Sequence, residues 1–172
     1  MEALQQYLSN HPQDLADWLD QFPWDSFGAE ITIHEDMEEK VVIAKKVILQ
    51  PDAEVTSLLI CQDAQLGEGA EVKGTLVCDK VQLNRDAECN YLIACQAEVG
   101  EDAEIRSAIV SDSLKMADGA EIGDLEILDA TFIDLNRDGL IDNRNILSSD
   151  DFQGAIAQRL QLVLEGAINQ LS

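Results

Sequence analysis

The sequence predicts a mainly β protein: a three-sided, single-stranded parallel β-helix with coils of 17 residues and about five to six turns. Short N-terminal helices and a C-terminal amphipathic helix flank it. Three observations carry this. The triplet Ala-Glu-apolar recurs as Ala53-Glu54-Val55, Ala70-Glu71-Val72, Ala87-Glu88-Cys89, Ala103-Glu104-Ile105 and Ala120-Glu121-Ile122, at steps of 17, 17, 16 and 17 residues. Apolar residues within each repeat come as pairs two apart, the period of a strand with one face buried. Turns rich in Gly, Asp and Asn, such as Gly67-Glu68-Gly69 and Asn84-Arg85-Asp86, recur too often for a helix of ordinary length to fit between them.

Two further columns keep the register. One runs Val47 and Leu49, Ala64 and Leu66, Val81 and Leu83, Ala97 and Val99, Leu114 and Met116; the other runs Val42 and Ala44, Leu59 and Cys61, Leu76 and Cys78, Ile93 and Cys95, Ile109 and Ser111. Each inward pair is expected to stack on its equivalent about 4.8 Å along the axis. The sequence thus divides into an N-terminal helical segment with a lead-in strand (1–41), the solenoid (42–133), an acidic loop (134–148) and a helix (149–172).

The flanks follow from their own patterns. Ala3 to Leu8 forms a turn or helix. Pro12 suits a first helical turn, and Leu15, Trp18, Leu19 and Phe22 follow at helical spacing until Pro23 stops them. Ser149 or Asp150 can cap a last helix whose apolar face carries Phe152, Ile156, Leu160, Val163, Leu164, Ala167, Ile168 and Leu171. That face needs a partner surface. Phe152, Ile156, Leu160 and Leu164 are its assembly residues, either covering the last coil, the preferred reading, or joining two subunits.

Composition narrows the function. The 172 residues hold 11 basic and 34 acidic side chains, a net charge of -23, spread along the whole chain. Such a field repels nucleic acid and anionic lipid. No apolar run reaches the length of a membrane span, and Glu2 follows Met1 directly, so the expectation is a cytoplasmic protein.

With turns such as Leu66-Gly67-Glu68-Gly69-Ala70-Glu71-Val72-Lys73-Gly74 and Val99-Gly100-Glu101-Asp102-Ala103-Glu104-Ile105, the stretch 42–128 resembles the bactofilin family of polymer-forming cytoskeletal proteins. The resemblance implies a right-handed solenoid, a nucleotide-free scaffold whose solenoids join end to end into filaments, and no catalytic residues. Helical flanks and the lack of a membrane-anchoring start depart from that pattern.

The enzymatic rival is the hexapeptide-repeat class, with its trimeric acyltransferases and solenoid carbonic anhydrases. These need imidazole, as a general base or as zinc ligands. His11 and His34 both precede the first coil, and a strict six-residue step is broken once per coil, so the reading is non-enzymatic. Cys61, Cys78 and Cys95 fall in one column and Cys89 in another, as small buried hydrophobes. Glu54, Glu71, Glu88, Glu104 and Glu121 form an outward column, in which neighbouring carboxylates about 5 Å apart repel by roughly 0.8 kcal/mol even in water. A counter-charge from a basic partner, a metal ion or salt would relieve them, and with a basic partner the column becomes a docking face. Finally, Asp134, Asn136, Asp138, Leu140 and Asp142 match the alternating oxygen ligands of an EF-hand-type calcium loop with Gly139 at its turn, although Asn145 stands where a bidentate acid belongs. Calcium is the one cofactor the sequence raises, and the expected partner is a protein or a second copy.

Overall fold

The computed structural model describes residues 2–8, 14–136 and 138–171. Among the described residues ten strands join one parallel ladder, eight of them in the order β1 (Gly28–Ile33), β2 (Glu38–Leu49), β3 (Glu54–Ile60), β5 (Glu71–Leu83), β6 (Glu88–Val99), β7 (Glu104–Met116), β8 (Glu121–Ile127) and β10 (Leu140–Ile146). β4 (Asp63–Leu66) lies between β2 and β5, and β9 (Ile133–Leu135) beside β7. The longer strands bend around corners, so that β5 runs over three faces. Face A stacks Glu38, Glu54, Glu71, Glu88, Glu104, Glu121 and Leu140. Face B stacks Val42, Leu59, Leu76, Leu92, Ala108, Leu125 and Arg144. Face C stacks Ile31, Val47, Ala64, Val81, Ala97, Leu114 and Ile133.

Seven turns therefore replace the expected five to six. The solenoid spans 28–146, and the segment read as an acidic loop is its seventh coil. The end coils escape a sequence search because their inward positions are not uniformly apolar. Glu39 stands in register with Val55, and Arg144 with Leu125.

One corner explains the regularity. Ala53, Ala70, Ala87, Ala103 and Ala120 each donate a backbone N–H to the carbonyl three residues earlier, and all five are fully buried. The residue before each alanine is left-handed: Asp52 at φ 60°, Gly69 at 71°, Asp86 at 57°, Asp102 at 57° and Gly119 at 72°. Only Gly adopts that region freely, and Asp is among the few side chains that tolerate it. Gly74 answers a different need, because a Cβ there would overlap the carbonyl oxygen of Ser57 on the coil below.

Two apolar layers result. The solenoid interior holds Val55, Leu66, Leu83, Ile105, Leu125 and their stacked equivalents. A second layer lies outside face B, where Ile43, Leu58, Ile60, Val77, Ile93 and Ile109 meet Leu4, Leu15, Trp18, Phe22, Trp24 and the buried side of the last helix. The third sequence column slips here. Leu92 and Ala94, then Ala108 and Val110, continue the inward column, whereas Ile93 and Cys95 point out beneath the helices.

The helices cover this outer layer. α1 (Glu2–Leu8) contacts the last helix, and α2 (Leu15–Gln21) lies on β5 and β6. α2 starts with the Asp14 carboxylate accepting from Asp17 N–H at 3.2 Å; Pro12, expected in a first helical turn, lies outside the described residues. Tyr7 donates its hydroxyl to the Trp18 carbonyl, and burial pushes that phenol up from its ordinary pKa. α3 (Ser149–Leu171) is capped by Ser148, whose hydroxyl accepts from Asp151 N–H at 3.2 Å, one residue before the expected cap.

Candidate interaction surface

Face A carries the glutamate ladder. Glu54, Glu71, Glu88, Glu104 and Glu121 are direct neighbours in register, as their spacing predicts, and Glu38 adds a sixth. Part of the counter-charge is internal. Lys73 Nζ lies 2.8 Å from Glu54 Oε2 and 3.9 Å from Glu71 Oε2, and the hydrogen bond to Glu54 holds the ammonium above its usual range. The column beside the ladder alternates Lys40, Thr56, Lys73, Asn90 and Arg106 along the strands. Sequence reasoning missed this, although Lys73 two residues after Glu71 was the available signal.

Glu88 has Asn90 where Glu71 has Lys73. Partial burial, then the carboxylates of Glu71 and Glu104, raise its pKa. A raised carboxyl pKa means that the folded state prefers the protonated form, so its contribution is fully present below the ordinary glutamate value and lost as pH rises through the folded one. Glu88→Gln should therefore melt with the wild type in acid and higher than it at neutral pH. The gain should stay below about 1 kcal/mol, because water screens so exposed a group. Melting curves across pH check this, and a Glu88→Gln variant less stable than wild type at neutral pH would contradict it.

The cysteines are all free thiols buried in the fold. Cys61, Cys78 and Cys89 belong to the solenoid interior, and Cys95 to the layer under the helices, which breaks the expected three-membered column. Burial pushes Cys89 and Cys95 up to about 12, and Cys61 and Cys78 upward as well, so the thiols stay protonated.

Asp134, Asn136, Asp138, Leu140 and Asp142 do not form a free loop. Asp134 lies in β9 and pairs with Lys115 in the ladder, Asn136 accepts from Gly139 N–H at 3.0 Å, and Leu140 N–H donates to Ala120 O. These contacts make the segment the corner of the seventh coil, flanked by strands instead of the helices of an EF-hand. No group of three or more His, Cys, Asp or Glu able to hold a metal ion occurs among the described residues.

The assembly face of α3 is occupied within the chain. Phe152, Ile156, Leu160 and Leu164 are buried on face B, and Arg159 grips Glu126 of the sixth coil through two hydrogen bonds of 2.9 and 2.8 Å. Leu171 reaches the recess beside Ile33 and Val42 of the first coils. The helix therefore runs down the side of the solenoid from last coil to first, and neither covers its end nor is left over to join subunits. The reason is face B itself, whose outward positions are apolar.

Stacked parallel coils with inward pairs at each rung define a repeat β-helix. Buried Val55, Cys61, Leu66, Val72, Cys78, Leu83 and Cys89 advance by six residues, with one step of five in each coil. This interrupted step is a hexapeptide repeat. Residues 53–141, more than half of the chain, match the family described as GlmU-like, C-terminal hexapeptide, and the chain belongs to that family. The family includes acyltransferases. Comparison with curated proteins and with solved structures returned no match. What the bactofilin resemblance shares with this placement is the β-helix class; the broken six-residue step, which argues against hexapeptide repeats when read in one dimension, is only a shortened corner.

Proposed function

We propose that the chain is a non-catalytic cytoplasmic scaffold that works by self-association of its solenoid, in the manner the bactofilin resemblance implies. The observation that carries this is the pair of end coils. β10 pairs only with β8, and its coil holds four exposed large apolar residues, Phe132, Leu135, Leu140 and Ile146. At the opposite end, Phe27, Ile31, Ile33, Val41, Val42 and Leu171 line a recess of about 380 Å³. Unpaired strand edges of this kind are templates for another chain. The inward charges at the two ends are opposite, Glu39 at the first and Arg144 at the last, so the ends suit head-to-tail stacking better than meeting like to like.

His34 supports a non-catalytic role, since it sits exposed on the first-coil turn, where Asp36 and Met37 lead into face A. No helix of the described residues is long and apolar enough to cross a membrane. The glutamate ladder remains available as a docking face for a basic partner, but Lys73 already offsets Glu54 and Glu71. Light scattering and negative-stain microscopy test the scaffold reading. Wild-type protein should form elongating particles as concentration rises, Arg144→Glu should shorten them, and Glu39→Lys with Arg144→Glu should restore them. Particles that remain monomeric at all concentrations overturn it.

A further inference from the structure

We propose that the junction between copies is a shared coil, in which the next copy's first strand fills the one face that the last coil lacks. The inference rests on the end-to-end reading and adds to it a register and an angle. Its basis is where the chain enters and leaves the solenoid. β1 lays down a rung of face C before any rung of face A or B, and β10 supplies faces A and B of the last coil before the chain departs into α3. Each face therefore holds a whole set of seven rungs, and the two ends are matching steps cut at the same angle. Set on the last coil, a second copy lands with its β1 on β9 and its β2 on β10, leaving neither gap nor overlap.

The columns fix the register of that junction. Ile31 and Ile133 share the inward column of face C, Glu38 and Leu140 the outward column of face A, and Val42 and Arg144 the inward column of face B. The members of each pair are 102 residues apart, so 30–44 of one copy lie over 132–146 of the other without a bulge. Inside the chain such continuity is interrupted by register shifts between β2 and β3 and between β5 and β6. The turn hydrogen bonds agree. Met37 donates its N–H to the His34 carbonyl and Gly139 to the Asn136 carbonyl, each at 3.0 Å, as the buried alanines of this corner do between them. The next copy's Met37 would thus come over a residue with no side chain.

The contents of the two ends suit each other in this register. The next copy's Ile31 and Ile33 continue the inward column of Ile133 and Leu135, and its Ala44 that of Ile146. Of the eight exposed large apolar side chains among the described residues, six stand at the ends: Met37 and Leu171 at the first, Phe132, Leu135, Leu140 and Ile146 at the last. Glu38 comes over Leu140, so the glutamate ladder meets no further carboxylate. Outward Lys40 comes over Asp142, and neither closes an ion pair in its own chain among the described residues. Inward Glu39 comes over Ile141, on the coil that carries Arg144. The only like pair in direct register among the described residues, Asp36 over Asp138, repeats the relation of Asp86 to Asp102 at the same corner. The helices also permit the fit. α3, 23 residues and ~34 Å long, matches the ~34 Å rise of seven coils, so the uncharged residues 168–171 of the next copy's helix reach the start of α3 without overlap.

Cysteine cross-linking reads the junction. Glu38→Cys and Leu140→Cys are outward on face A, Thr32→Cys and Asp134→Cys are outward on face C, and the four native thiols are buried and should not react. With a short bis-maleimide, an equimolar mixture of Glu38→Cys and Leu140→Cys should give a covalent dimer that neither variant gives alone, and so should Thr32→Cys mixed with Asp134→Cys. Glu38→Cys mixed with Asp134→Cys should give none, because their faces do not meet. Lys40→Glu should shorten the particles, and Lys40→Glu with Asp142→Lys should restore them. Thermal melts confirm folding of each variant. A dimer from Glu38→Cys alone means that like ends meet, and a dimer from the mixed faces means that the copies join at another angle. Either result, or particles that form without the matched dimers, overturns the shared coil and leaves self-association standing. Protein that never associates in light scattering overturns the end-to-end reading itself, and the shared coil with it.

Discussion

Removing residues 150–172 should convert the protein into an aggregating species even though the solenoid interior is left intact. Phe152, Ile156, Leu160 and Leu164 are buried on face B, and each contributes roughly 1.5 to 3 kcal/mol through the apolar surface it removes from water. More important is what they cover. Ile43, Ile60, Val77, Ile93 and Ile109 stand on successive rungs, outside the interior, and form a continuous apolar strip once α3 is gone. A strip of that kind on a β surface recruits other chains. The deletion also strips α1 of the helix it contacts and leaves Glu126 without Arg159. Static light scattering on the truncated protein should show growing particles that bind a hydrophobic dye. A soluble, dye-silent truncated protein would mean that face B is not an apolar surface in need of cover.

The contrast between legible and illegible parts of this fold follows from what each face touches. Face A is readable because its outward position is a glutamate and its inward positions are alanine and an aliphatic residue, so alternation separates water from core at every coil. Face C is readable for the same reason, with Gln65, Gln82 and Glu98 outside Leu66, Leu83 and Val99. Face B is apolar on both sides, because the helices cover its exterior. Alternation cannot tell Leu92 from Ile93 there. The corner between faces A and B shortens from Val72–Leu76 to Cys89–Leu92; the 16-residue step records the lost residue, but without a polarity contrast the pattern does not show at which corner it is lost. The α3 stripe is legible as a face in search of a surface; its target is not, since the receiving isoleucines read as interior residues. The alternating charges on face C, Glu30, Lys46, Asp63, Lys80, Glu98, Lys115 and Asp134, are hidden for another reason. They lie 16 to 19 residues apart and become neighbours only once the coil register is known.

Substituting Leu83 by Asp should unfold several coils together, whereas Gln82→Asp, one residue away, should leave the melting temperature nearly unchanged. Leu83 is 1% exposed and stacked between Leu66 and Val99, with no cation facing the solenoid interior beside it. Losing its burial costs roughly 1.5 to 3 kcal/mol, and an unpaired carboxylate between stacked rungs adds several more. The sum is comparable to the whole stability of an ordinary domain, ~5 to 15 kcal/mol. Gln82 stands on the outward side of the same strand, beside Gln65 and Glu98, where a carboxylate remains in water. The damage should spread, because each coil is held by its two neighbours and has no core of its own. Hydrogen exchange should therefore show protection lost from β4 through β7 in the Leu83→Asp variant, with residual protection concentrated at the ends. Equal effects of the two substitutions would place Leu83 on the wrong side of the strand. Loss confined to β5 would mean that the coils are stabilised singly, and the stacked columns that define this fold would not be its source of cooperativity.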